Sequence, residues 1–261
     1  MTQTCSEDLV VFTCTWYPNK NDLRCRICFD MLKSMVSHGI SVVVVDGSPS
    51  PDVRDYLKSS GASMIFEQTV KGKKGAALRE AAERAYSLEG VTEDTWLCWQ
   101  EAEKEDMAKH WKSSVISQCQ NVDIVVPMRE DSLFKKSYPI EQYHSENYGN
   151  LFLDAVAQNE CPSYKKSLDW HFGPFAFRAK HLKLWTKYDG IMYESQLVPI
   201  VHGIRQGLNV ESIVVPFVAN EEMKSQEEGQ VDFIEKRLNQ LADLDPKVKA
   251  AWKEAYYHQC K

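Results

Sequence analysis

Short apolar runs and helical patterns alternate along the first part of the chain. Leu9–Thr15 and residues 40–45 are rich in β-branched residues, which is typical of strands. The second run is apolar on both faces, as expected for an inner strand of a parallel sheet. Between the two runs, apolar residues recur at helical spacing over residues 23–36, and Gly39 is placed to end that helix. The order strand, helix, strand predicts a right-handed βαβ unit.

The same alternation continues toward the C-terminus. Further strands are predicted over residues 62–66, 95–99, 122–127, 172–177 (as an edge strand) and 210–217. Helices are predicted over residues 52–59, 76–86, 106–118, 194–206, 231–241 and 247–257, the last opened by Asp245-Pro246. Residues 128–170 show weak periodicity and many aromatic and polar side chains, a composition often found around substrate pockets. The whole pattern predicts an α/β fold over residues 1–261, a single domain with a mostly parallel central sheet flanked by helices.

The composition argues against a nucleic-acid partner and against a membrane-spanning segment. The formal net charge is -6, with 43% hydrophobic and 26% charged residues, so the chain lacks the basic field typical of nucleic-acid binding. No stretch reaches the roughly 20 apolar residues of a transmembrane helix. Residues 1–8 are polar and acidic, unlike a secretory signal. We therefore expect a cytoplasmic protein with no nucleic-acid partner and no transmembrane segment.

The cysteines favour neither a disulfide framework nor a zinc site. Eight cysteines are scattered over the 261 residues. Cys25 and Cys28 form one CxxC, but no second pair follows to complete a zinc site. Because this pair falls within a helical pattern, we expect it in the core or on a helix surface, and a redox role is the lesser alternative.

Ligands of open α/β sheets bind beyond the carboxyl ends of the strands, and polar motifs occur at these predicted ends. Asp46-Gly47 follows the clearest strand. A carboxylate there can accept hydrogen bonds from a nucleobase or ribose, although Asp-Gly is also ordinary turn chemistry. This motif alone does not decide between a ligand site and a turn.

The segment from Lys71 to Gly75 opens a predicted helix. Its glycines allow close backbone approach, and its three lysines, Lys74 among them, together with the helix N-terminus favour a diphosphate. Arg79 lies one turn further along. A solvated basic turn is the alternative.

Glu101 and Glu103 follow another buried strand. In an extended chain, carboxylates at positions i and i+2 lie on the same side, where they can hold a hard divalent cation such as Mn or Mg that binds a diphosphate. The alternative is an acidic first turn of a following helix.

Together these motifs resemble the GT-A nucleotide-sugar glycosyltransferases, in the style of family 2. The resemblance is good over about 9–128 and looser over 170–218. It implies a nucleotide-sugar-binding half (9–128), an acceptor half (129–218) and C-terminal helices (219–261). In such enzymes an early loop lies near the base, a strand ends in an Asp at the nucleotide, a Gly-rich turn follows, and an Asp-x-Asp holds Mn or Mg. The corresponding positions here are Thr15, Tyr17, Asp46, Gly47, Lys71, Lys74, Gly75, Arg79, Glu101 and Glu103.

Two departures from the family pattern concern the metal. The motif is Glu-x-Glu in place of Asp-x-Asp, and residues 218–221 after the last strand contain no histidine that would serve as a late ligand. Metal dependence is therefore a point to test.

The acceptor half offers its own candidates. Trp170 and His171 combine an apolar ring and a polar ring before a tight turn, which suits a sugar or aromatic acceptor as well as a packed loop. Arg129, just after the fifth strand, is placed to face the sugar. The resemblance implies a late carboxylate as the base that removes the acceptor proton, with Glu194 first and Asp169 second. The alternative for Glu194 is an electrostatic role at a helix N-terminus.

We interpret the chain as a glycosyltransferase of the hexosyltransferase class that moves a sugar from a nucleotide-diphosphate donor to an unknown small-molecule or glycan acceptor. A sugar-1-phosphate nucleotidyltransferase would need a Gly-rich, Arg-Lys phosphate loop after the first strand, which residues 15–21 lack. The other alternative is a catalytically degenerate GT-A domain that binds a nucleotide or a partner without turnover.

Overall fold

A central sheet organises the structure, a computed structural model that describes residues 8–70 and 72–254. The described part contains seven strands in one sheet, in the order β3-β2-β1-β4-β6-β5-β7. The strands are β1 (Leu9–Thr15), β2 (Ser41–Asp46), β3 (Met64–Glu67), β4 (Trp96–Trp99), β5 (Ile124–Arg129), β6 (Phe175–Arg178) and β7 (Val210–Val215). Strands β1 to β4 pair in parallel, as do β5 and β7, whereas β6 runs antiparallel to both β4 and β5. The predicted mostly parallel α/β sheet is confirmed.

Helices cover both faces of this sheet. They are α1 (Leu23–Ser37), α2 (Pro51–Lys58), α3 (Lys74–Tyr86), α4 (Asp131–Ser137), α5 (Ile140–Glu160), α6 (Lys183–Thr186), α7 (Glu194–Arg205), α8 (Glu221–Glu227) and α9 (Val231–Ala251). Local sequence sets several of their starts: Asp22 accepts a hydrogen bond from the Arg24 backbone N–H at α1, and Ser50 precedes Pro51 at α2.

Residues of β1 show how the two faces are filled. Val10 and Phe12 pack in one core with α3, α7 and α9, while Val11 packs in the other with α1. All three side chains are fully buried, as expected for an inner strand of a sheet covered on both faces.

The strand predicted over residues 172–177 is β6, and the expectation that it is an edge strand is wrong. It lies between β4 and β5. Phe175 and Phe177 fill one core and Ala176 the other, so both faces are buried. The edges of the sheet are instead β3 and β7, where Val214 is 57% exposed. Strand order depends on long-range pairing, which a short apolar run does not encode.

Three helical predictions differ from the structure. Residues 106–118 form 3-10 and π turns instead of an α-helix, and the buried Trp111 indole there donates to Gln100 (2.6 Å). The weakly periodic middle section contains the 21-residue helix α5, whose pattern was hidden because polar residues occupy its buried face. The predicted helices over 231–241 and 247–257 are one helix, α9, which continues through the exposed Pro246, and residues 255–257 lie outside the described residues.

None of the helices in the described part of the chain combines the length and the apolar composition needed to cross a membrane.

Candidate functional site

A cavity of about 160 Å³ opens at the carboxyl end of β4, beneath α8 and α9. This is the edge of the sheet where ligands of open α/β folds bind. Of the residues predicted from sequence, the cavity wall brings together Lys74, Glu101, Glu103, Trp170 and His171.

Lys74 and Glu101 form an ion pair on this wall. The Lys74 Nζ lies 2.7 Å from Glu101 Oε1, and each side chain is 20% exposed. Burial opposes ionisation of Glu101, but the charges of Lys74 and Lys104 and the hydrogen bond from Lys74 together outweigh burial and lower the pKa of Glu101 to about 2. The pKa of Lys74 is raised in turn, chiefly by Glu101 acting against burial. Both groups therefore stay charged at neutral pH. The Lys74 ammonium also lies 4.1 Å from the Tyr193 ring centroid.

Gly173 lets a loop approach this carboxylate closely. Its φ is +102°, and a Cβ added there would lie 2.7 Å from Glu101 Oε2. A side chain at this position would both strain the backbone and displace Glu101. Nothing local in the sequence links this glycine to Glu101.

Glu103 is connected to the C-terminal helices through Arg24. Arg24 Nη1 lies 3.5 Å from Glu103, and Arg24 Nη2 lies 2.7 Å from Glu227 on α8. Within residues 8–70 and 72–254, no group of three or more His, Cys, Asp or Glu side chains is arranged to hold a metal. The pair Glu101 and Glu103 fits a divalent cation only if a ligand supplies further oxygens, as substrate phosphates do for Mg²⁺.

The N-terminus of α3 contacts protein more than it faces the cavity. The Gly75 backbone N–H donates to the Ile191 carbonyl (2.9 Å), and a Cβ at Gly75 would collide with the Gly190 carbonyl. Arg79 donates to the carbonyls of Tyr188 (2.8 Å) and Gly190 (2.9 Å). Gly75 and Arg79 thus hold the loop before α7. Lys71 lies outside the described residues. Of the described residues predicted to bind the diphosphate at this helix start, Lys74 is the one that lines the cavity.

Asp46 has its hydrogen-bonding capacity occupied. It is fully buried and accepts bonds from Thr15 Oγ1 (2.8 Å) and Ser48 Oγ (2.6 Å), with Arg54 at 3.2 Å. Thr15 and Asp46 therefore tie the ends of β1 and β2 together, and neither lines the cavity.

The aromatic side chain that solvent reaches in this loop is Trp16. Tyr17 is 3% exposed, whereas Trp16 is 64% exposed. The ring of Trp16 lies beside Gly47, where an added Cβ would be 3.7 Å from Trp16 Cδ1 and 2.6 Å from Gln68 Oε1. Sequence reasoning chose Tyr17. Because β1 is buried on both faces, no alternation in the sequence marks which of the two rings is exposed.

Arg129 and Asp169 are paired with each other behind the cavity wall. The Arg129 side chain is fully buried, with Nη2 2.7 Å from Asp169 Oδ1 and Nη1 2.7 Å from Glu146. Asn150 also donates to Asp169 (2.8 Å). Neither the expected sugar contact of Arg129 nor the expected base role of Asp169 is supported by these contacts. The charge of Arg129, acting against burial, lowers the pKa of Asp169, which weakens it as a base.

Glu194 is also hydrogen-bonded within the protein. It is 4% exposed and its Oε1 accepts from the backbone N–H groups of Ile191 (2.7 Å) and Met192 (3.0 Å). Burial raises the pKa of Glu194, but these hydrogen bonds lower it, and the net shift is downward. Glu194 does not line the cavity, while its neighbours Tyr193 and Gln196 do.

Trp170 and His171 line the cavity. Trp170 is 2% exposed and its indole N–H donates to Asp154 (2.8 Å). His171 Nε2 lies 3.2 Å from Asp245 on α9. Their placement joins α5, the loop before β6 and α9 at the cavity.

Charged residues that sequence reasoning missed complete the wall. Lys104 donates to the Tyr138 hydroxyl (2.8 Å) and lies 5.4 Å from the Phe172 ring centroid. Lys236 and Arg237 reach the cavity from α9. No local motif identifies these residues, because they come from distant segments that only the fold brings together.

Comparisons with known proteins extend these observations. A scan against protein-family models and a search of curated protein sequences find no match. Among solved structures, glucosyl-3-phosphoglycerate synthase from Mycobacterium tuberculosis with Mn²⁺, UDP-glucose and phosphoglyceric acid is similar, with a TM-score of 0.62 and 11% identity over 93% of this chain and 79% of that one. A complex of that synthase with Mg²⁺ and UDP gives a TM-score of 0.54 at 10% identity, over 91% of this chain and 79% of that one. The chain therefore shares the GT-A-type fold of that synthase.

Proposed function

We propose that this protein transfers a sugar from a nucleotide-diphosphate donor to an acceptor hydroxyl, as a divalent-cation-assisted glycosyltransferase. The observation that carries the proposal is the group of Lys74, Glu101 and Glu103 on one cavity wall, at the carboxyl end of β4 in a GT-A-type fold. The synthase of similar fold holds UDP-glucose together with Mn²⁺.

The donor would extend along the carboxyl ends of β1 and β4. The exposed Trp16 ring offers an apolar face for the nucleobase, and Gln68 lies next to Gly47 beside it. Lys74 stays cationic and would bond a phosphate oxygen. A cation held by Glu101, Glu103 and the phosphates would offset the charge on the departing nucleoside diphosphate.

In the proposed reaction, the bond from the anomeric carbon to the phosphate oxygen breaks and a bond to the acceptor oxygen forms. The acceptor proton passes to a base, a role for which the resemblance to GT-A enzymes favours Glu194. Because Glu194 is bonded to two backbone N–H groups away from the wall, we expect Glu194→Gln to reduce stability and leave the rate of sugar transfer nearly unchanged. A loss of transfer without a loss of stability would restore Glu194 as the base.

A thermal-shift panel of UDP-, GDP-, ADP-, CMP- and TDP-linked sugars, each with Mn²⁺, Mg²⁺ or a chelator, tests the proposal. A ligand that binds the folded state raises the melting temperature according to its affinity. We expect one nucleotide family to do so, with metal required, and Glu101→Gln to abolish the shift. A shift that survives the chelator would remove the metal from the proposal, and no shift with any donor would overturn it.

A second candidate function, a nucleotide- or partner-binding domain without turnover, is favoured by two observations. Glu101 and Glu103 each already have a protein cation within 3.5 Å, and the cavity of about 160 Å³ is smaller than the ~300 Å³ at which ligand pockets typically begin. Donor hydrolysis and sugar transfer distinguish the two. Turnover that is lost in Glu103→Ala supports the enzyme, and donor binding with no turnover in the unmodified chain supports the binding domain.

The proposal includes a cytoplasmic location. The six cysteines in the described part of the chain are unpaired, as is typical of a reducing compartment. Recovery of the native protein in a membrane or secreted fraction would contradict this part of the proposal.

A further inference from the structure

The cavity carries positive charge within an acidic protein. The chain has a formal net charge of -6, yet the described residues that line the cavity include four carboxylates against six cations. The cations are Arg24, Lys74, Lys104, Lys224, Lys236 and Arg237. A concave site of this sign attracts and retains anions.

Part of this charge is not in an ion pair within the described part of the chain. Lys74 pairs with Glu101, while Arg24 bridges two glutamates. In contrast, Lys236 lines the cavity, is exposed, and makes no ion pair or hydrogen bond with the described residues. Partial desolvation and the nearby charges of Arg24 and Arg237 lower the pKa of Lys236 and outweigh the charges of Glu227 and Glu103, which raise it. An anion beside Lys236 would relieve this repulsion.

Two buried donors on the same wall are also unsatisfied. Gln196 is 3% exposed, and its Nε2 has no hydrogen-bond partner among the described residues. The buried Nε atom of Arg237 also has none there. Arg237 makes one contact with a carboxylate, Glu146, at 3.4 Å. Buried donors in native proteins are normally paired with protein, water or ligand. A ligand that satisfies an amide N–H, an ammonium and a guanidinium must bring acceptor oxygens.

We propose that Gln196, Lys236 and Arg237 form an anion subsite that binds a phosphate or carboxylate group of the acceptor. This inference rests on the proposed function, and names the class of acceptor as an anionic hydroxy compound. The subsite is built from α7 and α9, whereas the groups assigned to the donor phosphates come from the start of α3 and the end of β4. The acceptor anion and the donor diphosphate would thus bind different elements of the same cavity.

Titration calorimetry with three small probes tests the subsite: glycerol 3-phosphate, glycerate and uncharged glycerol. We expect one or both anions to bind the unmodified chain and glycerol not to bind, with the stronger anion identifying the group. Lys236→Gln and Arg237→Gln should each weaken anion binding about ten-fold or more, the loss typical of a hydrogen bond to a charged group. Lys249→Gln removes the same charge from an exposed position of α9 outside the cavity, and should leave binding unchanged.

Nucleotide binding separates this inference from the proposed function. UDP, GDP and ADP are titrated into the same variants, and we expect the nucleotide that binds the unmodified chain to bind Lys236→Gln equally well. If both variants weaken the nucleotide as much as the anion, the cluster belongs to the donor site and the inference is overturned. Failure of both anions to bind, or undiminished binding to Lys236→Gln, also overturns it. Anion binding without any nucleotide binding would overturn the proposed function and leave the anion subsite standing.

Melting temperatures of the unliganded variants control for folding. Arg237→Gln breaks the contact with Glu146 and so lowers stability, whereas Lys236→Gln breaks no ion pair or hydrogen bond among the described residues. Lys236→Gln is therefore the decisive variant.

Discussion

Two groups of ion pairs border the cavity, and they differ in what they leave available to a ligand. Behind the wall, Arg129 is fully buried and its guanidinium is shared by Asp169 and Glu146. On the wall, Lys74 and Glu101 are each one-fifth exposed and keep polar atoms open to the cavity. The first group resembles a completed core network, which stabilises only if every member is paired. The second is the kind of pair that a ligand can join.

The largest effect on stability should come from breaking the buried ion pairs that Arg129 makes with Asp169 and Glu146. Arg129→Met leaves Asp169 buried without its cation and leaves Glu146 with only the 3.4 Å contact of Arg237, at a cost of about 3–5 kcal/mol in the free energy of unfolding. Denaturant unfolding measures this loss. Because Asp169→Leu removes one of the orphaned charges, the double variant should recover part of it. A loss below about 1 kcal/mol would show that the pair is not the closed structural unit described above.

Glu101→Gln tests the Lys74–Glu101 pair on the cavity wall by its effect on sugar transfer. If the pair acts on the donor phosphates, the rate should fall about 10²–10³-fold, as for other groups that stabilise developing charge. Glu89→Gln, at an exposed position after α3, removes a carboxylate far from the wall and should not change the rate. Equal rates for the two variants would remove Glu101 from the mechanism.

Gly173→Ala tests whether the position of Glu101 matters, because the added Cβ displaces the carboxylate without removing it. The left-handed backbone alone costs about 1–2 kcal/mol, and the added Cβ also displaces the carboxylate. Gly207→Ala is a matched control, since Gly207 has φ +79° with nothing within 4 Å of an added Cβ. Both variants should lose similar stability, but only Gly173→Ala should weaken nucleotide binding. A similar loss of nucleotide binding in both would mean that the position of Glu101 is unimportant.

The pH dependence of stability reports the same pair. The pKa of Glu101 is lowered from 4.5 to about 2, so the contribution of the Lys74–Glu101 pair is fully present above pH 4.5. That contribution is lost as pH falls from 4.5 toward 2, and we expect it to be on the order of 1 kcal/mol after solvent screening. The difference in unfolding free energy between the unmodified chain and Glu101→Gln should therefore shrink over this window. A difference that stays constant would contradict the lowered pKa.

The smallest effect should follow from an exposed pair. Arg26 on α1 and Glu222 on α8 lie 3.0 Å apart, and their side chains are 50% and 53% exposed. Glu222→Gln should cost less than about 1 kcal/mol in denaturant unfolding. A larger loss would show that this pair, and not Arg24 with Glu227, holds α8 over the cavity.

Local sequence accounts for the elements whose burial pattern is simple. The β-branched run of β1 and the apolar run of β2 predict those strands to within one residue. The helix α5 was missed because Gln142, Glu146 and Asp154 lie on its buried face, so polarity no longer marks the solvent side. Periodicity fails where the interior of the protein is polar, and such an interior borders this cavity.

The strand-helix order and the placing of Lys74, Glu101 and Glu103 after predicted strands follow from sequence, because these features depend on residues close together in the chain. Only the tertiary structure decided which charges are closed off and which face the cavity. Arg129 and Asp169 are 40 residues apart, and Arg24 and Glu227 are 203 apart. Pairing over such distances is set by how the helices pack on the sheet. The same packing buries Arg129 in the core and leaves Lys74 partly exposed on the cavity wall.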